Sequence, residues 1–254
     1  MQIFKEAITF TRKEGKHTAC VVGVTSTITD LEAAMPYFLS GKESDKAKSY
    51  LYTERRLSFL LGRYAAKEAI CEMLAVKDKT LIEIRSGVFD QPIVVHEGKE
   101  QLAVGIAHTD AYAVGICYSE DHPLGIDIEA INSKNTDMII DQLTQSETTI
   151  LTTTFCKDQL SIGTTLFWTI KEAMAKCIKT GLMTPLSVFE IDEVKKTEKG
   201  FVATFSNFGQ YKALSYVVEE MVLTIVTPKN SDIQYESEKQ FIFNQEGLKS
   251  ALYE

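Results

Sequence analysis

The feature that most constrains this chain is a long-period repeat, in which an apolar strand segment is followed by a helix that carries Lys-Glu-Ala. In the first copy, 44 positions separate Gly23, near the end of an apolar segment, from Lys67. In the second copy, 46 positions separate Gly125 from Lys171. Because both copies run in the order strand, connection, helix, the sequence predicts a chain built of two similar halves.

The hydrophobic periodicity along the chain predicts further helices and strands in both halves. Helices are predicted at about 51–76, 137–153 and 165–180, and strands within 102–118, interrupted by a polar turn at 108–110, and at 201–205 and 211–227. We predict an α+β fold, a pseudo-dimer of two similar α+β halves, each a small antiparallel sheet packed with a long helix. The predicted domains are residues 1–122 and 123–254, with a ligand cleft at their interface. Residues 228–254 carry no motif and are expected to form a surface-docked tail.

Composition narrows the classes of partner. The 254 residues carry 27 Lys and Arg against 35 Asp and Glu, a net charge of −8, which excludes nucleic acid and anionic membrane as expected partners. The opening segment is charged throughout, and no apolar run reaches membrane-spanning length, so we expect a cytoplasmic protein. The five cysteines are scattered without a C-x-x-C pair, which predicts neither a disulfide framework nor a zinc site.

Acidic residues of the second half form the first candidate site. In a strand, Asp127 and Glu129 project from one face about 6.5 Å apart, a spacing at which two carboxylates can share Mg²⁺. Glu172 and Lys176 share a face of the last predicted helix. Glu172 would add a third carboxylate, and Lys176 would point at a phosphate. Each pattern taken alone also fits a solvated strand face or a surface ion pair.

Cations of the first half form the second candidate. All five arginines lie there, and Arg56, Arg63 and Lys67 fall on one helical stripe. This stripe lacks i to i+4 carboxylate partners, so it predicts either an anionic ligand or a solvated face. His108, at a polar break between strands, fits a phosphate contact or a structural hydrogen bond. Serine-hydrolase, Walker and dinucleotide-binding signatures are absent from the sequence.

In combination, these segments resemble the Sfp-type 4′-phosphopantetheinyl transferases. The resemblance runs from about Arg55 to Leu182 and is carried by four motifs in order. They are Gly-Arg-Tyr-Ala-Ala-Lys-Glu-Ala, Ile-Ala-His-Thr, Gly-Ile-Asp-Ile-Glu and Trp-Thr-Ile-Lys-Glu-Ala-Met-Ala-Lys. The resemblance implies a pseudo-dimer that moves the phosphopantetheine arm of coenzyme A to a serine of an apo carrier protein. The by-product would be adenosine 3′,5′-bisphosphate.

The family's roles carry over by motif position. The implied Mg²⁺ ligands are Asp127, Glu129 and Glu172. The implied catalytic residues are Glu172, Glu147, Lys176 and Lys171, with Glu147 as a proposed base and Lys176 at the phosphate being transferred. The implied coenzyme A contacts are Arg56, Arg63, Lys67, His108, Thr109 and Lys176. The resemblance therefore implies Mg²⁺, coenzyme A as co-substrate, and an acyl or peptidyl carrier protein as partner, and we expect a monomer because the two halves supply both sides of the cleft.

Three positions depart from the family pattern. Gly105 and Ala107 replace small polar residues before the histidine, and Gln91 stands where relatives often have a lysine, so the pose of coenzyme A is affected more than the reaction. Two other functions remain open: a binding module without catalysis, and a different Mg²⁺-dependent enzyme that cleaves a pyrophosphate with water. The sequence names neither the carrier nor the acyl groups tolerated.

Overall fold

Residues 1–98 and 101–236 are described by a computed structural model. They form two compact units. The first unit comprises Met1–Val88, Pro92–His122 and the chain from Ser231, and the second comprises Phe89–Gln91 and Pro123–Asn230. No described helix is both long and apolar enough to cross a membrane.

The first unit is an antiparallel sheet packed against one long helix. Its elements are β1 (Gln2–Arg12), β2 (Gly15–Thr25), α1 (Ile28–Ala34), α2 (Gly41–Ser49), α3 (Thr53–Leu74), β3 (Glu83–Ser86), β4 (Pro92–Val95), β5 (Leu102–His108) and β6 (Tyr112–Ser119). The sheet order is β12-β1-β2-β6-β5, where β12 (Asp232–Tyr235) returns from the end of the described chain. Strands β3 and β4 form a separate hairpin. Helix α3 packs on β2, β5 and β6 and buries its alanines there.

The second unit repeats this plan without the two outer strands. Its elements are β7 (Gly125–Ala130), α4 (Thr136–Ile140), α5 (Gln145–Thr154), α6 (Leu160–Cys177), β8 (Ile191–Thr197), β9 (Gly200–Phe205), β10 (Tyr211–Val218) and β11 (Met221–Pro228). The sheet order is β7-β11-β10-β9-β8, all antiparallel, and α6 packs on β7, β10 and β11. In each unit a strand is followed by two short helices, one long helix and four strands. The predicted α+β fold of two similar halves is confirmed.

Three sequence expectations differ from the structure. The strand predicted at 211–227 is a hairpin of two strands, β10 and β11, because the chain turns at 219–220. The helix predicted at 137–153 is two helices, α4 and α5, because Thr144 caps the start of α5 through its side chain and accepts a hydrogen bond from the backbone N–H of Glu147. The segment predicted as a tail from 228 contributes β12, whose residues 232–235 pair with residues 8–11 of β1. The rest of that segment, 237–254, lies outside the described residues.

Candidate active site

The candidate site lies where α6 crosses the first strand of the second unit. Gly125 allows this crossing, because a Cβ at that position would lie 1.9 Å from the carbonyl oxygen of Ala173 and 2.7 Å from the backbone nitrogen of Cys177. Only a glycine lets the helix backbone approach the strand so closely. The acidic face of β7 is therefore brought directly beneath the last two turns of α6.

The ion pair between Asp127 and Lys176 forms the centre of this crossing. Asp127 is buried on β7, opposite Thr224 of β11, and its Oδ1 accepts a hydrogen bond from Lys176 Nζ at 2.6 Å. Its second oxygen, Oδ2, is buried and has no hydrogen-bond partner in the protein. Because a buried carboxylate oxygen without a partner is costly, this atom marks a place for a further cation or donor.

Glu129 and Glu172 surround the same ammonium group. Both are partly buried, and Glu129 shares the face of β7 with Asp127 because strand side chains alternate. Burial raises the pKa of Glu129 to about 7, with Asp127 and Glu172 adding to the shift and Lys176 opposing it. Burial, followed by Asp127, also raises the pKa of Glu172. For Lys176, burial lowers the pKa, but the three carboxylates outweigh it and raise the pKa overall.

Trp168 is a member of this site that the sequence analysis did not single out. Its indole N–H donates a hydrogen bond to Glu129, and this contact opposes the rise of that carboxyl's pKa. Trp168 stands one helical turn before Glu172, so the i to i+4 relation on α6 could have indicated it. It is the one tryptophan of the chain, so tryptophan fluorescence of this protein comes from this position alone.

The donor set suits a hard divalent cation. It consists of carboxylate oxygens, one of them an unpaired buried oxygen of Asp127, and their mutual repulsion is relieved by positive charge. In the described part of the chain, however, no three His, Cys, Asp or Glu side chains converge closely enough to hold a metal ion. In this structure the cation beside Asp127 is the ammonium of Lys176.

The structure places Glu147 and Lys171 in the interior rather than at this crossing. Glu147 is 0% exposed and Lys171 is 1% exposed, and Lys171 Nζ lies 2.6 Å from Glu147 Oε1. The predicted catalytic set is thus divided. Glu172 and Lys176 lie with Asp127 and Glu129, whereas Glu147 and Lys171 form a buried pair of their own.

In the first unit, the cationic stripe has no i to i+4 carboxylate partner within α3, as predicted, but a solvated face is wrong for Arg63 and Lys67, which are buried. Arg56 Nε lies 3.1 Å from Glu32 of α1, and Arg63 Nε lies 3.5 Å from Glu43 of α2. Lys67 is fully buried and pairs with the same Glu43. The carboxylate partners lie on other helices, and the angular positions of residues around α3 alone cannot predict them.

The remaining coenzyme A candidates lie at the end of β5. His108 is exposed, and Thr109 begins the turn to β6, where its hydroxyl accepts a hydrogen bond from the backbone N–H of Tyr112 at 3.2 Å. Gly105 and Ala107 are buried within β5, so neither position offers a surface for a ligand. Gln91 belongs to a local turn in which its side-chain oxygen accepts the N–H of Phe89 at 2.9 Å.

Comparisons with known proteins show what the segment around this site is similar to. Residues 123–226, which contain the whole carboxylate cluster, match the family model of the 4′-phosphopantetheinyl transferase superfamily. The 4′-phosphopantetheinyl transferase gsp of Aneurinibacillus migulanus is 26% identical over 160 residues, which are 61% of this chain. The matched region spans 64% of that relative's length. The segment that carries the candidate site is therefore similar to the superfamily to which the Sfp-type resemblance pointed.

Two solved structures are also similar to part of the chain. A holo-(acyl-carrier-protein) synthase from Bacillus anthracis, solved in complex with CoA (3′,5′-ADP), has 20% identity and a TM-score of 0.36, covering 44% of this chain and 96% of that one. A holo-ACP-synthase from Plasmodium yoelii has 12% identity and a TM-score of 0.33, covering 47% of this chain and 97% of that one.

Proposed function

We propose that this protein transfers the 4′-phosphopantetheine arm of coenzyme A to a serine of an apo acyl or peptidyl carrier protein, in a Mg²⁺-dependent reaction. One observation carries the proposal. Asp127, Glu129, Glu172 and Lys176 meet at one crossing inside the segment that matches the transferase superfamily. Opposite charges so arranged suit an attack on a pyrophosphate, in which negative charge grows on the phosphate oxygens.

Asp127, Glu129 and Glu172 would hold the Mg²⁺ ion, which requires the three carboxylates to draw closer together than they lie in the described structure. When bound, the ion supplies positive charge that neutralises the pyrophosphate of coenzyme A and polarises its phosphorus–oxygen bond. Lys176 stabilises the negative charge that develops on the phosphate being transferred, since its ammonium already lies within this cluster. Glu172, whose pKa is raised, is the carboxylate we assign to receive the proton of the attacking serine.

We further propose that the phosphates of coenzyme A bind to Arg56, Arg63, His108 and Thr109. Arg56 and His108 reach the surface, and the Thr109 hydroxyl can donate to a phosphate while it accepts from Tyr112. Lys67 is left out of this set. Its ammonium is fully buried and donates to Glu43 and to the carbonyl oxygens of Phe38 and Lys79.

The cellular setting is part of the same proposal. All five cysteines are free, as expected in a reducing compartment, and we propose that the protein acts in the cytoplasm as a monomer.

Intact-protein mass spectrometry tests the proposal. An apo acyl carrier protein and an apo peptidyl carrier domain are each incubated with the protein, coenzyme A and Mg²⁺, with and without a chelator. We expect a mass gain of one phosphopantetheine arm that the chelator abolishes. A reaction without carrier serves as the control, because breakdown of coenzyme A there would indicate hydrolysis by water. No mass gain on either carrier would contradict the proposal.

A further inference from the structure

A buried glutamate of the second unit is tied to three separate elements. Glu147 is the third residue of α5, and its Oε2 accepts the backbone N–H of Thr144, the cap of that helix, at 2.8 Å. Its Oε1 accepts the backbone N–H of Ile191, at the start of β8, at 2.9 Å. Lys171 of α6 approaches both oxygens, at 2.6 Å and 2.8 Å. We call Glu147 and Lys171 the second-unit clamp.

The first unit contains the same arrangement. Glu43 is the third residue of α2, and it accepts the backbone N–H of the cap, Ser40, at 2.9 Å. It also accepts the backbone N–H of Ile84, on β3, at 3.1 Å, and pairs with Lys67 of α3. We call Glu43 and Lys67 the first-unit clamp.

The two clamps correspond in chain position as well as in contacts. In both units, 24 positions separate the glutamate from its lysine. In both, the lysine also donates to a backbone carbonyl of the segment that follows the long helix, Lys79 in the first unit and Leu186 in the second. The first unit has a clamp but does not contain the cluster of Asp127, Glu129 and Glu172. A clamp is therefore a feature of the fold that both units share, and it does not require a carboxylate cluster beside it.

The carboxylate of Glu147 has no capacity left for substrate. A carboxylate offers about four lone-pair positions, and here two accept backbone N–H groups while the lysine approaches both oxygens. Glu147 is also fully buried. A general base must reach the proton that it removes, and every oxygen of this group is already engaged inside the protein.

We propose that Glu147 and Lys171 are positioning residues, which fix α6 so that Glu172 and Lys176 face Asp127, and that neither exchanges a proton with substrate. The positional part of this inference rests on the proposed function. Lys171 immediately precedes Glu172 on α6, and each residue of a helix turns by about 100°. Anchoring Lys171 against α5 and β8 therefore determines the direction of the two groups that the reaction uses.

The test compares single and paired substitutions in both clamps. Glu147→Gln and Lys171→Met each leave a buried polar partner without its counter-charge, and each is expected to lower Tm by about 10 °C. The pair Glu147→Gln/Lys171→Met removes both charges and is expected to recover part of this loss, because the single oxygen of glutamine can still accept only one of the two backbone N–H groups of Thr144 and Ile191. Glu43→Gln and Lys67→Met, alone and paired, form the control in the first unit. The single variants are expected to lower Tm in the same way, but the pair is expected to recover less, because Glu43 also pairs with the buried Arg63.

Trp168 fluorescence separates positioning from stability alone. Below Tm, Lys171→Met is expected to shift the emission maximum of Trp168 and to raise the Mg²⁺ concentration for half-maximal response, and the second-unit pair is expected to restore both. Lys67→Met is expected to change neither. Equal effects of the two clamps on the emission of Trp168 would overturn the positioning role.

Transfer activity shows whether Glu147 or Lys171 exchanges a proton with the substrate. The pair Glu147→Gln/Lys171→Met is expected to keep kcat within about tenfold of the wild type, because no proton-transferring group is lost. A paired variant with native Tm and native Trp168 emission but no measurable transfer would overturn the proposal. If the wild type itself transfers nothing, the proposed function fails, and the Tm and fluorescence comparisons still decide whether the clamps are structural.

Discussion

Glu129 is the carboxylate of the candidate site whose ionisation should leave the clearest trace on stability. Its pKa is raised from 4.5 to about 7, first by burial and then by Asp127. The folded protein therefore binds more protons than the unfolded chain between these two values. The contribution of Glu129 to stability without metal is therefore lost as the pH rises from about 4.5 to 7.

The magnitude follows from the size of the shift. At about 1.4 kcal/mol for each pKa unit, the difference corresponds to about 3 kcal/mol, which we reduce to about 2 kcal/mol because solvent reaches this partly buried side chain. Glu129→Gln removes the ionisable group and keeps an oxygen for the indole N–H of Trp168. At pH 8 without metal, the variant should be about 2 kcal/mol more stable than the wild type, or about 4–8 °C in Tm.

The assay is chemical and thermal unfolding at pH 5 and pH 8, in the presence of a chelator. Glu198→Gln, on an exposed hairpin, is the matched control and should not alter the pH dependence. The advantage of Glu129→Gln should shrink towards pH 5. A difference of the same size at both pH values, or a variant less stable than the wild type at pH 8, would refute the reasoning.

Three further predictions concern Gly125 at the crossing of β7 and α6, the ammonium group of Lys176, and Arg63. Gly125→Ala places a Cβ 1.9 Å from the carbonyl oxygen of Ala173 and should lower the free energy of unfolding in urea by about 3 kcal/mol. Gly41→Ala is the control and should lower it little, because the space around Gly41 is open. Equal effects of the two substitutions would contradict the close crossing. Lys176→Met removes the cation that lowers the pKa of Glu129, so the pH midpoint of Trp168 fluorescence should move upward from that of the wild type. A downward move would contradict the assignment. Arg63→Ala should raise KM about tenfold for coenzyme A and less for 3′-dephospho-coenzyme A, and equal increases would show that Arg63 does not bind the 3′-phosphate.

Hydrophobic periodicity and the order of the motifs predicted the two long helices and the strand that carries Asp127 and Glu129. The helical pattern around Lys67 and around Lys171 indicated the two long helices, and alternation in Gly-Ile-Asp-Ile-Glu indicated a strand with Asp127 and Glu129 on one face. These features are local, since they depend on residues a few positions apart. The contacts that the sequence analysis missed are those made between elements.

Lys67 and Glu147 are residues whose contacts in the structure the sequence analysis did not predict. Lys67 pairs with Glu43, which lies 24 positions earlier on another helix, so no i to i+4 argument could find it. A local signal for Glu147 was nevertheless present. Thr144-Gln145-Ser146-Glu147 is a capping box, and this pattern both starts a helix and engages the carboxylate in that helix's first turn.

We propose that the crossing of β7 and α6 is the reaction centre for transfer to a carrier protein. The most direct test is the intact mass of an apo carrier protein after incubation with coenzyme A, Mg²⁺ and either the wild type, Asp127→Asn or Glu198→Gln. We expect full conversion by the wild type and Glu198→Gln, and at least a hundredfold slower conversion by Asp127→Asn, measured at a temperature where unfolding curves show this variant to be folded. Conversion by Asp127→Asn at the wild-type rate would contradict this proposal.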